Sequence, residues 1–160
     1  MKLFSQALFD ELAAKAAASP RQRTNHNVHG GDSDPVQRFF ICANKTSYVR
    51  PHRHHTKSEL GLVLRGSFDV VTFDDSGVVT GRYPVGEGAA AMGFETPRVT
   101  WHTLVPNSDG SLFFEVKEGP YDAATASEFA PWSPAEGDPA AGMFMSWVRT
   151  APVGSKAPVF

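Results

Sequence analysis

The stretch Pro51-His52-Arg53-His54-His55-Thr56-Lys57-Ser58-Glu59-Leu60-Gly61 sets two histidines two residues apart and follows them with a carboxylate. On a β-strand alternate side chains share a face, so His52 and His54 point the same way, and Glu59 on the next strand supplies a third corner of a metal site. His102, in Pro97-Arg98-Val99-Thr100-Trp101-His102, is the candidate fourth ligand from a second β-rich region. Glu59 has an alternative role as an acceptor that orients a histidine N–H. Ligation dominated by imidazole favours one divalent transition ion (Zn, Fe, Mn or Ni) over Mg²⁺ or Ca²⁺. Histidines must be neutral to ligate, so metal affinity is expected to fall as pH drops below about 6.5.

Further candidates surround this motif. Alternation along the strand sends Tyr48 and Arg50 to the face of His52 and His54, where Tyr48 can give a proton and Arg50 can clamp a carboxylate or phosphate. Glu115 and Lys117 alternate with Phe114 and Val116 near the end of the β-rich region. Glu115 is a second proton carrier, and Lys117 is either a ligand contact or a surface partner of Glu115. In the polar arm from Pro20 to Pro35, Arg23, Asn25, Asn27 and His29 occupy every second position, the pattern of one face of an extended strand. Laid over a barrel mouth, Arg23, Asn25 and His29 contact a ligand there. His26 falls on the other face of the arm and His55 faces away from His54, so neither is given a role.

The elements that must hold these residues are mostly strands. Ser5 can cap a helix running to about Ala18, with Phe4 and Phe9 as a hydrophobic staple. Strands are expected over Val36–Ala43, Ser47–His54, Glu59–Leu64, Ser67–Asp74, Val78–Tyr83, Ala89–Phe94, Thr100–Val105 and Ser111–Lys117. Asp74-Asp75-Ser76-Gly77 and Asn107-Ser108-Asp109-Gly110 read as hairpin turns. Eight short strands of this kind suit a double-sheet jelly-roll barrel. Asp138 can cap and Pro139 can open a short helix carrying Phe144, Trp147 and Val148. The expected organisation is one domain: helix and polar arm over 1–35, barrel over 36–120, an extension with a short helix over 121–150, and a loose tail over 151–160.

The chain has 160 residues and a formal charge of −2, a balance that gives nucleic-acid binding no support. Charge is unevenly spread: residues 1–65 hold 10 Lys/Arg against 5 Asp/Glu, and 66–160 hold 5 against 12. Basic groups gathered beside the metal motif favour an anionic ligand. No apolar run is long enough to span a membrane and no signal-peptide order opens the chain, so a cytoplasmic location is the expectation. Cys42, the single cysteine, excludes an internal disulfide and reads as a buried small hydrophobe. Phosphate loops, CxxC pairs and nucleophile elbows are missing.

The spacing His-x-His-x4-Glu-x6-Gly ending at Gly66, followed by Pro97-x-x-x-x-His102, resembles the two signature motifs of the cupin superfamily. Thr46, Val99 and the displaced Asn107 stand where that pattern usually has two glycines and an asparagine. With Ser19–His29, Asp34–Arg38, Tyr48–His54, Glu115–Tyr121 and Glu128–Trp132, the chain resembles the WbuC family of cupin-fold metalloproteins over nearly its whole length. That resemblance implies a metal-binding cupin whose relatives occur in bacterial polysaccharide (O-antigen) gene clusters. It implies no particular substrate.

Three functions fit these readings. The first is a metal-dependent enzyme on a small anionic or sugar-derived molecule: an isomerase, epimerase or lyase, or a dioxygenase if the ion is Fe(II). The second is a non-catalytic sensor or carbohydrate-binding protein in which the metal orients the ligand. The third, a structural metal site, ranks last. Exposed strand edges suggest a homodimer.

Overall fold

Ser5 is extended and its hydroxyl accepts the Leu8 amide, which starts helix α1 (Gln6–Ala18) where the sequence places it. Phe9, Leu12 and Ala16 recur at helical spacing and are buried against Phe40, Cys42 and Leu112. The two staple rings both pack on Phe40, at centroid distances of 4.9 Å from Phe4 and 5.5 Å from Phe9.

The computed structural model describes residues 1–159 and holds two five-stranded antiparallel sheets. One sheet runs in the order β1 (Arg23–Asn27), β2 (Val36–Ala43), β9 (Ser111–Glu118), β4 (Glu59–Arg65), β7 (Gly93–Thr96). The other runs β10 (Glu128–Phe129), β3 (His52–Arg53), β8 (Trp101–Pro106), β5 (Ser67–Phe73), β6 (Val79–Gly86). Val63, Phe68, Val70, Leu104 and Phe113 fill the space between the sheets. Helix α2 (Ala141–Thr150) covers the outer face of the second sheet, burying Phe144 and Val148 with Val71, Phe73 and Trp101. This is the expected mainly β, cupin-type double-sheet barrel with a helix near each end.

Several elements differ from expectation for identifiable reasons. The arm is a true strand, with Arg23 to Asn27 of β1 paired against Ala43 to Phe39 of β2. The strand expected over Ser47–His54 shrinks to His52–Arg53. Pro51 has no N–H to give to a ladder, and side chains take the preceding carbonyls: Arg23 donates to Tyr48 O and Thr103 to Val49 O. The strand expected at Ala89 begins at Gly93, because a turn closed by Ala89 N–H to Gly86 O, with Gly86 and Gly88 at positive φ, takes up its start. Helix α2 starts later than Asp138-Pro139 suggests. There the Asp138 side chain and carbonyl accept from the Ala140 and Ala141 amides as a turn, and Ala140 caps without a side-chain bond.

The tail is tied rather than loose. Val79 N–H donates to Ser155 O, Gly154 N–H to Val79 O and Ala157 N–H to Gly77 O, while Ala151 and Ala157 join the α2 core. Residue 160 lies outside the described residues.

Candidate metal centre

Antiparallel pairing of β3 with β8 sets His52 directly opposite His102. Glu59 opens β4 in the other sheet, between Lys117 of β9 and Thr96 of β7. His54 follows one residue after β3 and turns its ring to Glu59. The four side chains offer ligand atoms that all lie within 4.8 Å of one another. His54, Glu59 and His102 are buried, and His52 is half-buried on the approach side.

The hydrogen bonds of the three rings decide whether this cluster suits a cation. Each Nδ1 meets a backbone carbonyl: His52 to Arg50 O at 2.9 Å, His54 to Ala126 O at 2.6 Å, and His102 to Thr100 O at 2.9 Å. A carbonyl only accepts, so each Nδ1 carries a proton and each ring turns its Nε2 inward, the nitrogen a metal would take. His102 Nε2 is buried with no partner among the described residues, a costly state for a polar atom. His54 Nε2 stands 3.0 Å from Glu59 Oε2, and His102 Nε2 stands 3.8 Å from Glu59 Oε1. An Nε2 facing a carboxylate is matched either by its own proton or by a cation seated between them. The donor set and its tautomers therefore fit a divalent transition ion, and the carbonyls that orient the rings are the outer partners such a site requires.

Charge within the cluster follows the same logic. Burial pulls His52 down to about 3, with His102 as the next cause. Burial works to raise Glu59, yet His102, His54 and the Lys117 ammonium outweigh it and hold the carboxyl well below the ordinary range.

Beyond the ligands, Lys117 Nζ lies 2.6 Å from Glu115 Oε1 and 3.6 Å from Glu59 Oε2. Burial, aided by the Glu59 charge and opposed by Lys117, pushes Glu115 up to about 8, which favours its acid form relative to an ordinary glutamate. Burial acts to lower Lys117, but Glu115 and Glu59 keep it raised. Glu115, Lys117, Glu59, His52 and Arg23 together line an inner cavity of about 160 Å³ floored by Phe39 and Ile41. A larger cavity of about 630 Å³ between β5, β6 and β7 touches none of the four candidate ligands and is walled by Val70, Tyr83, Val85 and Phe94.

The remaining candidates divide. Arg23 faces the inner cavity, and Asn25 and His29 line a groove outside it. Tyr48 does not reach the site. The irregular backbone at 47–51 breaks the alternation that would carry it there, and its ring packs against Phe144 while its hydroxyl donates to Pro134 O at 2.8 Å. Arg50 reaches the mouth beside His52, but its Nε donates to Ser133 Oγ and its terminal nitrogen to Ala130 O and Ser133 O. It fastens the segment over 121–140 rather than offering a free clamp.

The sequence gives no hint of two participants from that segment. Ala126 O sets the His54 tautomer, and Glu136 accepts from Arg21 at 2.6 and 2.9 Å and from Arg23 at 3.0 Å across the mouth. A backbone carbonyl carries no residue-type signal, and a lone glutamate in a Pro- and Gly-rich stretch has no spacing to read.

No curated protein matches the chain. Among solved structures it is similar to KdgF from Halomonas sp., at 18% identity and TM-score 0.51 over 66% of this chain and 86% of that one. It is similar to a cupin superfamily protein from Desulfitobacterium hafniense DCB-2, at 15% identity and TM-score 0.50 over 67% and 86%. The capsular polysaccharide assembling protein CapF from Staphylococcus aureus matches at 19% identity and TM-score 0.52, over 61% of this chain and 27% of CapF. These likenesses establish the cupin fold. A family match covers residues 4–85, just over half of the 160 and inclusive of His52, His54 and Glu59, so the chain belongs to the family described as a domain of unknown function, DUF6016.

Proposed function

We propose that the protein is a metal-dependent enzyme acting on a small anionic, sugar-derived molecule through a non-redox proton transfer, as in an isomerase, epimerase or lyase. The observation that carries this reading is the His52, His54, Glu59, His102 cluster opening onto a cavity that also holds Glu115, whose carboxyl is raised by burial, and two basic groups, Lys117 and Arg23. A bound divalent ion supplies Lewis acidity toward a ligand oxygen. Lys117 holds the anionic group, and Arg23, fixed by Tyr48 O and Glu136, adds positive charge beside it. Glu115 delivers its proton to the substrate, Lys117 at 2.6 Å stabilises the carboxylate left behind, and that carboxylate takes back the proton the substrate carbon gives up. Hydrophobic Phe39, Ile41, Phe68 and Phe113 keep water away from the transfer.

The resemblance to the WbuC family, together with a fold shared with a capsular polysaccharide assembling protein, supports a place in bacterial surface polysaccharide (O-antigen) synthesis. Cytoplasmic residence fits that role. The test is purification without oxygen, elemental analysis, and incubation with a panel of sugar acids and nucleotide sugars followed by product analysis. A product formed without oxygen uptake is expected, whereas stoichiometric oxygen uptake sinks the non-redox assignment.

A second reading, a ligand-binding or sensor protein, is favoured by the withdrawal of Tyr48, which leaves Glu115 as the one nominated proton carrier at the cavity. It predicts saturable binding that survives Glu115→Gln, with no product formed by the wild type.

A further inference from the structure

We infer that the ligand is bipartite: an anionic end enters the inner cavity and a neutral glycosyl extension lies in the groove formed by the inward face of β1. This inference rests on the proposed anionic, sugar-derived ligand and specifies its size and its second recognition surface.

Size is the first argument. Ligand pockets span roughly 300–1,000 Å³, and the inner cavity at about 160 Å³ falls short of that range. The outer groove, at about 520 Å³, falls within it and shares Arg23, Phe39, Ile41 and Lys117 with the cavity. The groove thus gives a ligand whose charged group reaches Lys117 a course over β1, beside the mouth lined by Arg50, His52 and Glu136.

The chemistry of the groove is the second. Pairing of Arg23, Asn25 and Asn27 with Ala43, Ile41 and Phe39 puts these three on the inward face of the sheet, while Thr24 and His26 share the register positions of Cys42 and Phe40 on the face toward α1. Both asparagines are exposed. Asn25 Nδ2 donates to Asn27 Oδ1 at 2.9 Å, which leaves Asn25 Oδ1 and Asn27 Nδ2 without a partner among the described residues. An acceptor and a donor are thus presented side by side, complementary to two neighbouring hydroxyls that each donate and accept. Half-buried Phe39 and Ile41 give an apolar floor, and exposed Tyr121 stands at the rim. A sugar ring has the matching character, with apolar C–H groups on one side and hydroxyls at its edge. Arg23 and Lys117 are the charged groups the groove shares with the inner cavity, and the groove also carries the Asp32 carboxylate, which disfavours a second anionic group there, so the anionic and neutral parts of the ligand have a fixed order.

The test is calorimetric titration of the purified full-length protein with galacturonate, glucuronate and mannuronate, and with disaccharides carrying each acid at one end. At least one disaccharide is expected to bind ten times more tightly than its own monosaccharide. In Asn25→Ala/Asn27→Ala the ratio is expected to fall below three, with thermal melting checked to confirm folding. Equal affinity of monosaccharide and disaccharide for the wild type overturns the extension and leaves the inner-cavity reading standing. A ratio unchanged in the double variant overturns the assignment to β1. If no acid binds, the anionic-sugar reading fails and the extension fails with it.

Discussion

His52 and His102 face each other across the β3–β8 pair with ring centroids 4.5 Å apart, each ring held by a carbonyl two residues before it in its own chain segment. Because Arg50 O and Thr100 O fix the two Nδ1 protons, the two Nε2 atoms turn toward Glu59 before any ion arrives. Two-strand register thus does the work of pre-orienting two ligands from distant parts of the sequence.

From this arrangement, His102→Ala and His52→Ala are each expected to lose metal. The loss in affinity should exceed the roughly 10–100-fold that follows removal of an outer partner of a ligand. Elemental analysis after dialysis against a matched free-metal buffer reads the result. Retention of full metal content by both variants means that the site is elsewhere.

Glu115→Gln is expected to keep the fold and the metal and to lower turnover by about 10²–10⁴-fold, the range for removal of a general acid. A group raised to about 8 delivers a proton only while it holds one. Wild-type turnover should therefore decline as pH rises through about 8, and the variant should lack that decline. An unchanged alkaline limb in Glu115→Gln assigns it to another group.

The metal motif was legible because ligation constrains both residue type and spacing: His52 and His54 alternate on a strand, and Glu59 and His102 recur where neighbouring strands return. Much of the barrel was legible for the same reason of period, with β2 spanning the expected Val36–Ala43 and alternation marking β4, β5 and β9. Tyr48 misled because alternation holds only while the backbone is paired, and Pro51 together with the Arg23 and Thr103 bonds ends the pairing just before it. The segment over 121–140 was illegible for a different reason. It is held by Arg50, Arg21, Arg23 and Arg53 through carbonyls, the Ser133 hydroxyl and the Glu136 and Glu128 carboxylates, contacts that leave no periodic trace.

Tyr48→Phe separates structural from chemical roles. The substitution removes the donor to Pro134 O but keeps the ring against Phe144. It is expected to cost roughly 0.5–1.5 kcal/mol of stability with no change in metal content or in the pH profile of turnover. A large fall in turnover at unchanged stability would return Tyr48 to the site.

Acid should weaken the metal-free protein through His52 in particular. Its folded pKa is depressed to about 3 by burial and by His102, while in the unfolded chain it takes the ordinary value of about 6.5. Below about 6.5 the unfolded state gains a proton that the folded state refuses, so this contribution is complete above about 6.5, declines on acidification and is lost by about 3. Glu59, whose folded pKa is also depressed, adds a loss of the same sign below the ordinary carboxylate range. His52→Gln isolates the histidine part: its denaturant midpoint should depend less on pH between 6.5 and 4.5 than that of the wild type. The same depression means that His52 stays neutral and able to ligate well below 6.5, so its share of the acid loss of metal affinity moves to lower pH than an ordinary histidine would give. Identical pH slopes for the wild type and His52→Gln would show that the imidazole titrates freely despite the His102 ring 4.5 Å away.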